Sequence, residues 1–348
     1  MEQLVQIASS TMKRVESITE IVTMRRNVSF RSLPMGFNWD TTKLKGFRVN
    51  MTYWQAFCSI IDPSHNEFWN ITTDWVPMVM FFACAAYFYA ANTAMPAPIR
   101  EACAMSALFT GVQHTVSLVA HVFQCVSTRV SHSIWYIDYA GIILNFVWNG
   151  PSMVFLVCPG TSALWPAWRA FNFAVTAAIL TNAVYFVATL DPSKDTDTRD
   201  RQRWICGARN AAVGALLILL AMPSEVSTLL LASSGDEYAI GGLVLLPIAL
   251  LVKTLHYPER LYFTKGEPRY DFSLWHSHSI WHVLVWADQF CYAVLYARAM
   301  AAYDRSCGPD GAVDDAMPPP PMLEGLPSVV ARAVGIASCS SPGCRFMR

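Results

Sequence analysis

The chain has 348 residues, of which 54% are hydrophobic and only 14% charged, and its mean hydropathy is +0.32. A soluble domain carries about 25% charged residues, so there is too little charge here to coat a water-facing globule, and the surface must be largely lipid. The 25 basic and 25 acidic residues cancel, which removes any argument from net charge for nucleic acid or another polyanion as a partner.

Residues 1–74 form a polar N-terminal segment with Lys13, Arg14, Arg25, Arg26 and Arg31. It has no apolar core of signal-peptide length, so no cleavage is expected there. A bilayer-crossing helix needs about 20 mostly apolar residues, and residues 75–303 supply seven such stretches. They run from Trp75 to Ala94, Ala102 to Val126, Ser133 to Val157, Trp168 to Leu190, Ile205 to Met222, Tyr238 to Leu255, and His278 to Ala301. Breaks fall at Pro96 and Pro98, at Pro159-Gly160, in the charged segment Asp191 to Arg203, and at Ser233-Ser234-Gly235-Asp236. The fold class is therefore an all-α membrane protein, a bundle of seven transmembrane helices. From residue 304 to 348 the composition turns to Gly, Ser and Pro, with the run Pro318 to Pro321, and this tail is expected to be disordered. The ten Cys include no C-x-x-C pair; most lie in apolar runs and read as buried thiols.

Lys and Arg concentrate on one side of this arrangement: in the N-terminal segment, at Arg129, at Lys194 to Arg203, and at Arg260, Lys265 and Arg269. The opposite short loops hold only Arg100. The positive-inside rule then places the N-terminus in the cytosol and the C-terminus outside or in a lumen. That orientation is opposite to a G-protein-coupled receptor, and the seventh span has no Lys for a retinal Schiff base.

Ionisable groups at membrane depth are costly and are functional candidates by default. The second span carries Ser117 and His121, one turn apart on one face. Asp138 opens the third span. The seventh begins with His278 and His282, again one turn apart. With the orientation above, all five residues fall in the cytosolic half of the bundle. Three imidazoles from two helices suit one borderline-soft divalent ion, and His₃ with an open position is the arrangement of catalytic zinc, so Zn²⁺ is the expected cofactor. Asp138 then either deprotonates water or holds a His tautomer, and Ser117 hydrogen-bonds water or a substrate carbonyl. His114 and His256 read as satisfied core or interface groups, Arg209, Lys253 and Asp288 as internally paired or snorkelling, and Trp165, Trp168 and Trp275 as an interfacial belt. A transporter reading is disfavoured, because a conduction path needs polar groups through the full depth and these cluster in one leaflet.

These residues resemble the progestin and adipoQ receptor family, which is related to the hemolysin III proteins. The likeness rests on Ser117-Leu-Val-Ala-His121, on Asp138-Tyr-Ala-Gly141-Ile142, and on Ser277-His278-Ser-Ile-Trp-His282. Upstream, His65-Asn66-Glu67-Phe-Trp-Asn70-Ile71-Thr72-Thr73-Asp74 and Pro258-Glu259-Arg260 also fit. Asp74 stands where the family pattern has His, Ser279 where it has Gln, and the loop from Arg260 to His278 is longer than usual; none of these is expected to touch the His, Ser and Asp set. The resemblance implies a receptor-like protein of plasma membrane or endomembrane, with zinc on His121, His278 and His282. Family members are linked to adiponectin-type or steroid signalling and to ceramide hydrolysis. Membrane lipids, ceramide or a related lipid as substrate, and an extracellular hormone-like ligand are the partners it suggests. Two readings stay open: a zinc-dependent lipid amide or ester hydrolase, and a receptor in which zinc is a structural staple.

Overall fold

A computed structural model describes residues 46–91, 93–189, 224–264, 267–268 and 276–306. Helices dominate: α1 (Tyr53–Cys58), α2 (Phe68–Ala90), α3 (Ala97–Phe123), α4 (Thr128–Val157), α5 (Trp165–Thr189), α6 (Glu237–Thr254) and α7 (Ser277–Ser306). Residues 224–232 are also helical, and Phe263–Thr264 pairs with Glu267–Pro268 in a minimal antiparallel ladder. Among the described residues, four helices are long and apolar enough to cross a membrane: Phe68–Ala90, Ala97–Phe123, Thr128–Val157 and Glu237–Tyr262. α5 and α7, with 25 and 30 residues, have the length to do so as well. The expected fifth span from Ile205 to Met222, the chain before Gly46 and the tail beyond Ser306 lie outside the described residues.

The polar residues of α2 and α3 turn inward, into an interior that also holds a large apolar cluster, while many apolar residues face outward, as a lipid solvent allows. On α2, Asn70, Asp74, Pro77, Phe81, Ala85 and Phe88 recur at helical spacing and are buried, while Trp75, Val76, Val79 and Phe82 are exposed. On α3, Ser106, Thr110, Gln113, His114, Ser117 and His121 are all buried. α4 approaches α3 closely at Gly141, where an added Cβ would run into the Val116 side chain and lie 3.5 Å from the Gln113 Cα. Only Gly permits that approach, and it brings the α4 segment around Asp138 against the Ser117 face.

The interior stays polar well beyond the histidines. Asn149 on α4 accepts from Ser106 (2.9 Å) and Tyr296, Asn145 accepts from Thr110 (2.8 Å), and Ser152 lies 2.8 Å from the Tyr296 hydroxyl. Polar groups in general are thus not confined to the end of the bundle that holds His121, His278 and His282, and the buried Asp288 also lies beyond that cluster along α7. These deeper groups bond to one another across α3, α4 and α7, as interhelical hydrogen bonds in membrane bundles do.

Several expected boundaries shift, and two of the shifts matter to the site. α2 starts at Phe68 and not at Trp75, because Asn70, Thr72, Thr73 and Asp74 depress hydropathy while facing the interior or bonding their own helix, as Thr72 and Thr73 do to Phe68 and Trp69 carbonyls. α4 starts at Thr128, capped by Ser127, whose hydroxyl accepts from the Val130 amide at 3.2 Å. Asp138 therefore sits about 15 Å along α4, not at its beginning. Trp165 is likewise no belt residue: it is 3% exposed, donates to Glu101 (2.8 Å) and packs edge-on against Trp148 and Phe155.

α7 is started by a carboxylate. Glu259, fully buried, accepts from the Ser277 backbone amide (2.7 Å) and hydroxyl (2.8 Å); an anion at a helix N-terminus also complements the helix dipole. Glu259→Ala is expected to destabilise the fold by about 1–2 kcal/mol through loss of this cap and of buried partners, read as a lower thermal unfolding midpoint in detergent.

Candidate metal centre

Four helices, α2, α3, α4 and α7, and the segment before α2 build the centre. His121 comes from the last turn of α3, and His278 and His282 from the first two turns of α7. One ligand atom from each of these three residues can be chosen so that all lie within 4.8 Å of one another. The ring centroids are 4.9–5.0 Å apart. The segment from Gly46 to Asn66 folds over this end of the bundle, held by the Asn66 amide on the Gly46 carbonyl (3.0 Å) and the Met51 amide on the Cys125 carbonyl (3.2 Å). Buried Arg48 donates to the His121 carbonyl (2.6 Å) and to Ser59 (2.5 Å), placing a cation on the carbonyl end of α3, where the helix dipole favours one.

The protons on two of the rings follow from their neighbours. His121 Nδ1 lies 2.8 Å from Glu67 Oε2, and His282 Nδ1 lies 3.0 Å from Asp74 Oδ1. A carboxylate only accepts, so each Nδ1 carries a hydrogen, and in the neutral rings each Nε2 carries a lone pair. Those two Nε2 atoms face each other at 3.1 Å. No hydrogen bond satisfies two lone pairs, whereas a shared cation does. Carboxylate-oriented imidazoles are the usual support of a metal site, so the donor set fits a divalent ion such as zinc.

Further residues hold the carboxylates in place. Asn66 and Asn70 each donate to Glu67 at 2.7 Å. Asn70 in turn accepts from Ser279 (3.0 Å), which also contacts His276 Nε2 at 2.6 Å. Asp74 Oδ1 is shared between His282 and His114 Nδ1 (2.9 Å), and His114 Nε2 lies 2.7 Å from Gln289. Upstream, His65 Nε2 donates to the Ser59 carbonyl (2.8 Å) and its Nδ1 accepts from the Glu67 amide (3.1 Å). Burial, reinforced by the Arg48 charge, pushes the His65 imidazole down to about 3. The ring stays neutral, as its pair of opposite hydrogen-bonding roles requires.

Asp138 and Ser117 are both buried; Ser117 hydrogen-bonds the Asp138 carboxyl, where the sequence suggests a bond to water or a substrate carbonyl, and His121 is the imidazole that interacts most strongly with that carboxyl. Asp138 Oδ1 and Asp74 Oδ2 are buried without a hydrogen-bond partner. Two orphaned acceptors, in addition to the facing imidazole nitrogens, leave this end of the bundle short of donors. Trp135 closes one wall, standing perpendicular to the His121 ring at 5.1 Å. His278 is the partly exposed member of the three.

A family profile described as haemolysin-III related matches residues 63–293. The chain belongs to the haemolysin-III related family. This is the grouping that includes the progestin and adipoQ receptors, and the match takes in every residue of the centre from His65 to Gln289. No curated protein matches the chain as a relative.

Within this haemolysin-III related chain, sequence reasoning brought together the three His but missed Glu67, Asn70, Asp74, His114 and Gln289. The expectation that the departures at Asp74 and Ser279 leave the site untouched is corrected. Asp74 bonds a cluster imidazole directly, and Ser279 bonds Asn70, which holds Glu67. Asn70 and Asp74 share a helical face four residues apart, and that spacing was the available signal. His114, expected as a satisfied core group, is one, though its partner is Asp74. His256 is exposed. Substituting Glu67→Gln or Asp74→Asn removes the charge that orients an imidazole, and each is expected to weaken zinc binding by about 10–100-fold, measured by chelator competition on the purified protein.

Proposed function

We propose that this membrane protein is a zinc-dependent hydrolase of lipid amides or esters, ceramidase-like in chemistry. The observation that carries the reading is that Asp138, a buried carboxyl whose Oδ1 has no hydrogen-bond partner, interacts electrostatically with His121 of the three-imidazole cluster. His121, His278 and His282 would hold the ion. The chemistry such an ion supplies is polarisation of a carbonyl and acidification of water.

The chain's own residues account for the rest. Asp138 Oδ1 accepts the proton of an attacking water and returns it to the leaving amine or alkoxide. Ser117 Oγ fixes the Asp138 carboxyl in orientation. Glu67 and Asp74 keep the Nδ1 hydrogens in place and the Nε2 atoms turned inward. Trp135 and the Gly46 to Asn66 segment exclude bulk water, which strengthens every charge interaction inside. A lipid substrate enters on the partly exposed His278 side, from the surrounding membrane. In the sequence-derived orientation, this chemistry takes place in the cytosolic half of the bilayer.

A second reading rests on the ties that the site makes between elements: through Glu67, Asn70 and Asp74 it joins α2, α3 and α7. In that reading the protein is a receptor for a hormone-like or steroid ligand, and zinc is a staple. The two diverge in one assay. Purified protein in detergent is expected to release fatty acid from a panel of ceramides and related lipids, with His278→Ala abolishing release. Asp138→Asn is expected to lower kcat by about 10²–10⁴-fold, the range of a general base, with the zinc content unchanged. Zinc-loaded protein that turns over no lipid amide or ester would leave the staple reading standing.

A further inference from the structure

The third imidazole is held differently from the other two. His121 and His282 each turn Nδ1 toward a carboxylate, an acceptor. His278 turns its Nδ1 to the Lys253 ammonium, a donor. Lys253 lies in the last turn of α6, the helix that packs along α7, with Gly241 and Gly242 letting it close on Cys291 and Tyr292.

We propose that Lys253 guards the metal centre: its ammonium sits on His278 Nδ1 and must withdraw before His278 can join His121 and His282 on an ion. The inference rests on the zinc reading given above. An ammonium has donors and no acceptor, so its contact with Nδ1 makes that nitrogen the acceptor and puts the ring hydrogen on Nε2. A ring in that state offers no lone pair: Nε2 is protonated and Nδ1 is occupied. Turning Nε2 to the ion would require a hydrogen on Nδ1, which would then point at the ammonium, donor against donor. A divalent ion arriving beside the two carboxylate-oriented rings also repels the ammonium.

Withdrawal is mechanically available. Lys253 is only half-buried, its neighbours Thr254 and Leu255 are exposed, and its four-carbon stem is flexible. While in place, the ammonium supplies positive charge to a centre that holds the carboxylates of Glu67 and Asp74. Lys253 thus stands in for the cation and is exchanged for it. It is a positioning residue acting through His278, on the side of the cluster from which the site is reached.

The test is zinc affinity of the full chain in detergent, stripped of metal and titrated by chelator competition at fixed pH. Lys253→Met is expected to bind zinc about tenfold more tightly than the unaltered chain, the lower end of what a neighbour of a ligating imidazole contributes. Lys253→Arg, which keeps a charged donor, is expected to show no gain. A larger zinc-induced rise in the unfolding midpoint of Lys253→Met would agree, and if that variant fails to fold, Lys253→Gln takes its place. Unchanged or weaker zinc binding on removal of the charge would overturn the proposal while leaving the zinc reading intact. A variant with His121, His278 and His282 all changed to Ala sets the baseline: if the unaltered chain binds no better than that variant, the zinc reading fails and this proposal with it.

Discussion

Two imidazole nitrogens, His121 Nε2 and His282 Nε2, face each other at 3.1 Å inside a membrane bundle, each forced into that pose by a carboxylate on the far side of its ring. Everything distinctive about this end of the molecule follows from sustaining that pair. Glu67 must be held by Asn66 and Asn70, Asp74 must be shared with His114, and the segment around Arg48 must fold back over the last turn of α3. Buried charges without compensation are among the least tolerable features of a protein interior. A network this dense in carboxylates and imidazoles, with Asp138 Oδ1 and Asp74 Oδ2 still unpartnered, makes physical sense as the housing of a cation.

The bundle around it serves two solvents. Lipid takes the apolar residues, as the exposed Trp75, Val79 and Phe82 of α2 show. The interior takes polar residues alongside a buried apolar cluster, and the polar ones pair across helices instead of with water. Near the histidines several interior groups are ionisable and incompletely satisfied; further along, Ser106, Asn149, Ser152 and Tyr296 are neutral and mutually bonded, with Asp288 a buried ionisable exception. Chemistry concentrates at the first end, and the second end holds the helices together. His278 and His282 lie at the very start of α7, beneath the Glu259 cap.

Much of this was legible in the sequence, for a physical reason: charged or imidazole groups at membrane depth are rare, so His121, His278 and His282 stand out against their apolar runs. The outline of the helical spans was legible for the same reason. What hydropathy could not show was the start of α2. A stretch with Asn70, Thr72, Thr73 and Asp74 reads as a polar approach to the membrane, yet it is helix, and its polar face points at the site. Asp74 was noticed only as a departure from a family pattern, because the partner that gives it meaning, His282, lies 208 residues away in sequence. Lys253 was similarly opaque: the last turn of a span is where Lys commonly snorkels to the membrane surface, and only the packing of α6 on α7 reveals that it meets His278 instead.

The central claim is that a single divalent ion binds where these three rings converge, and X-ray absorption spectroscopy on the purified protein tests it most directly, alongside elemental analysis of the same sample. The account predicts one zinc per chain with imidazole nitrogens at about 2.0–2.1 Å in its first coordination shell, and loss of that signal when His121 and His282 are replaced together. A chain carrying no stoichiometric metal, or a metal whose spectrum is unchanged by that double replacement, would contradict it.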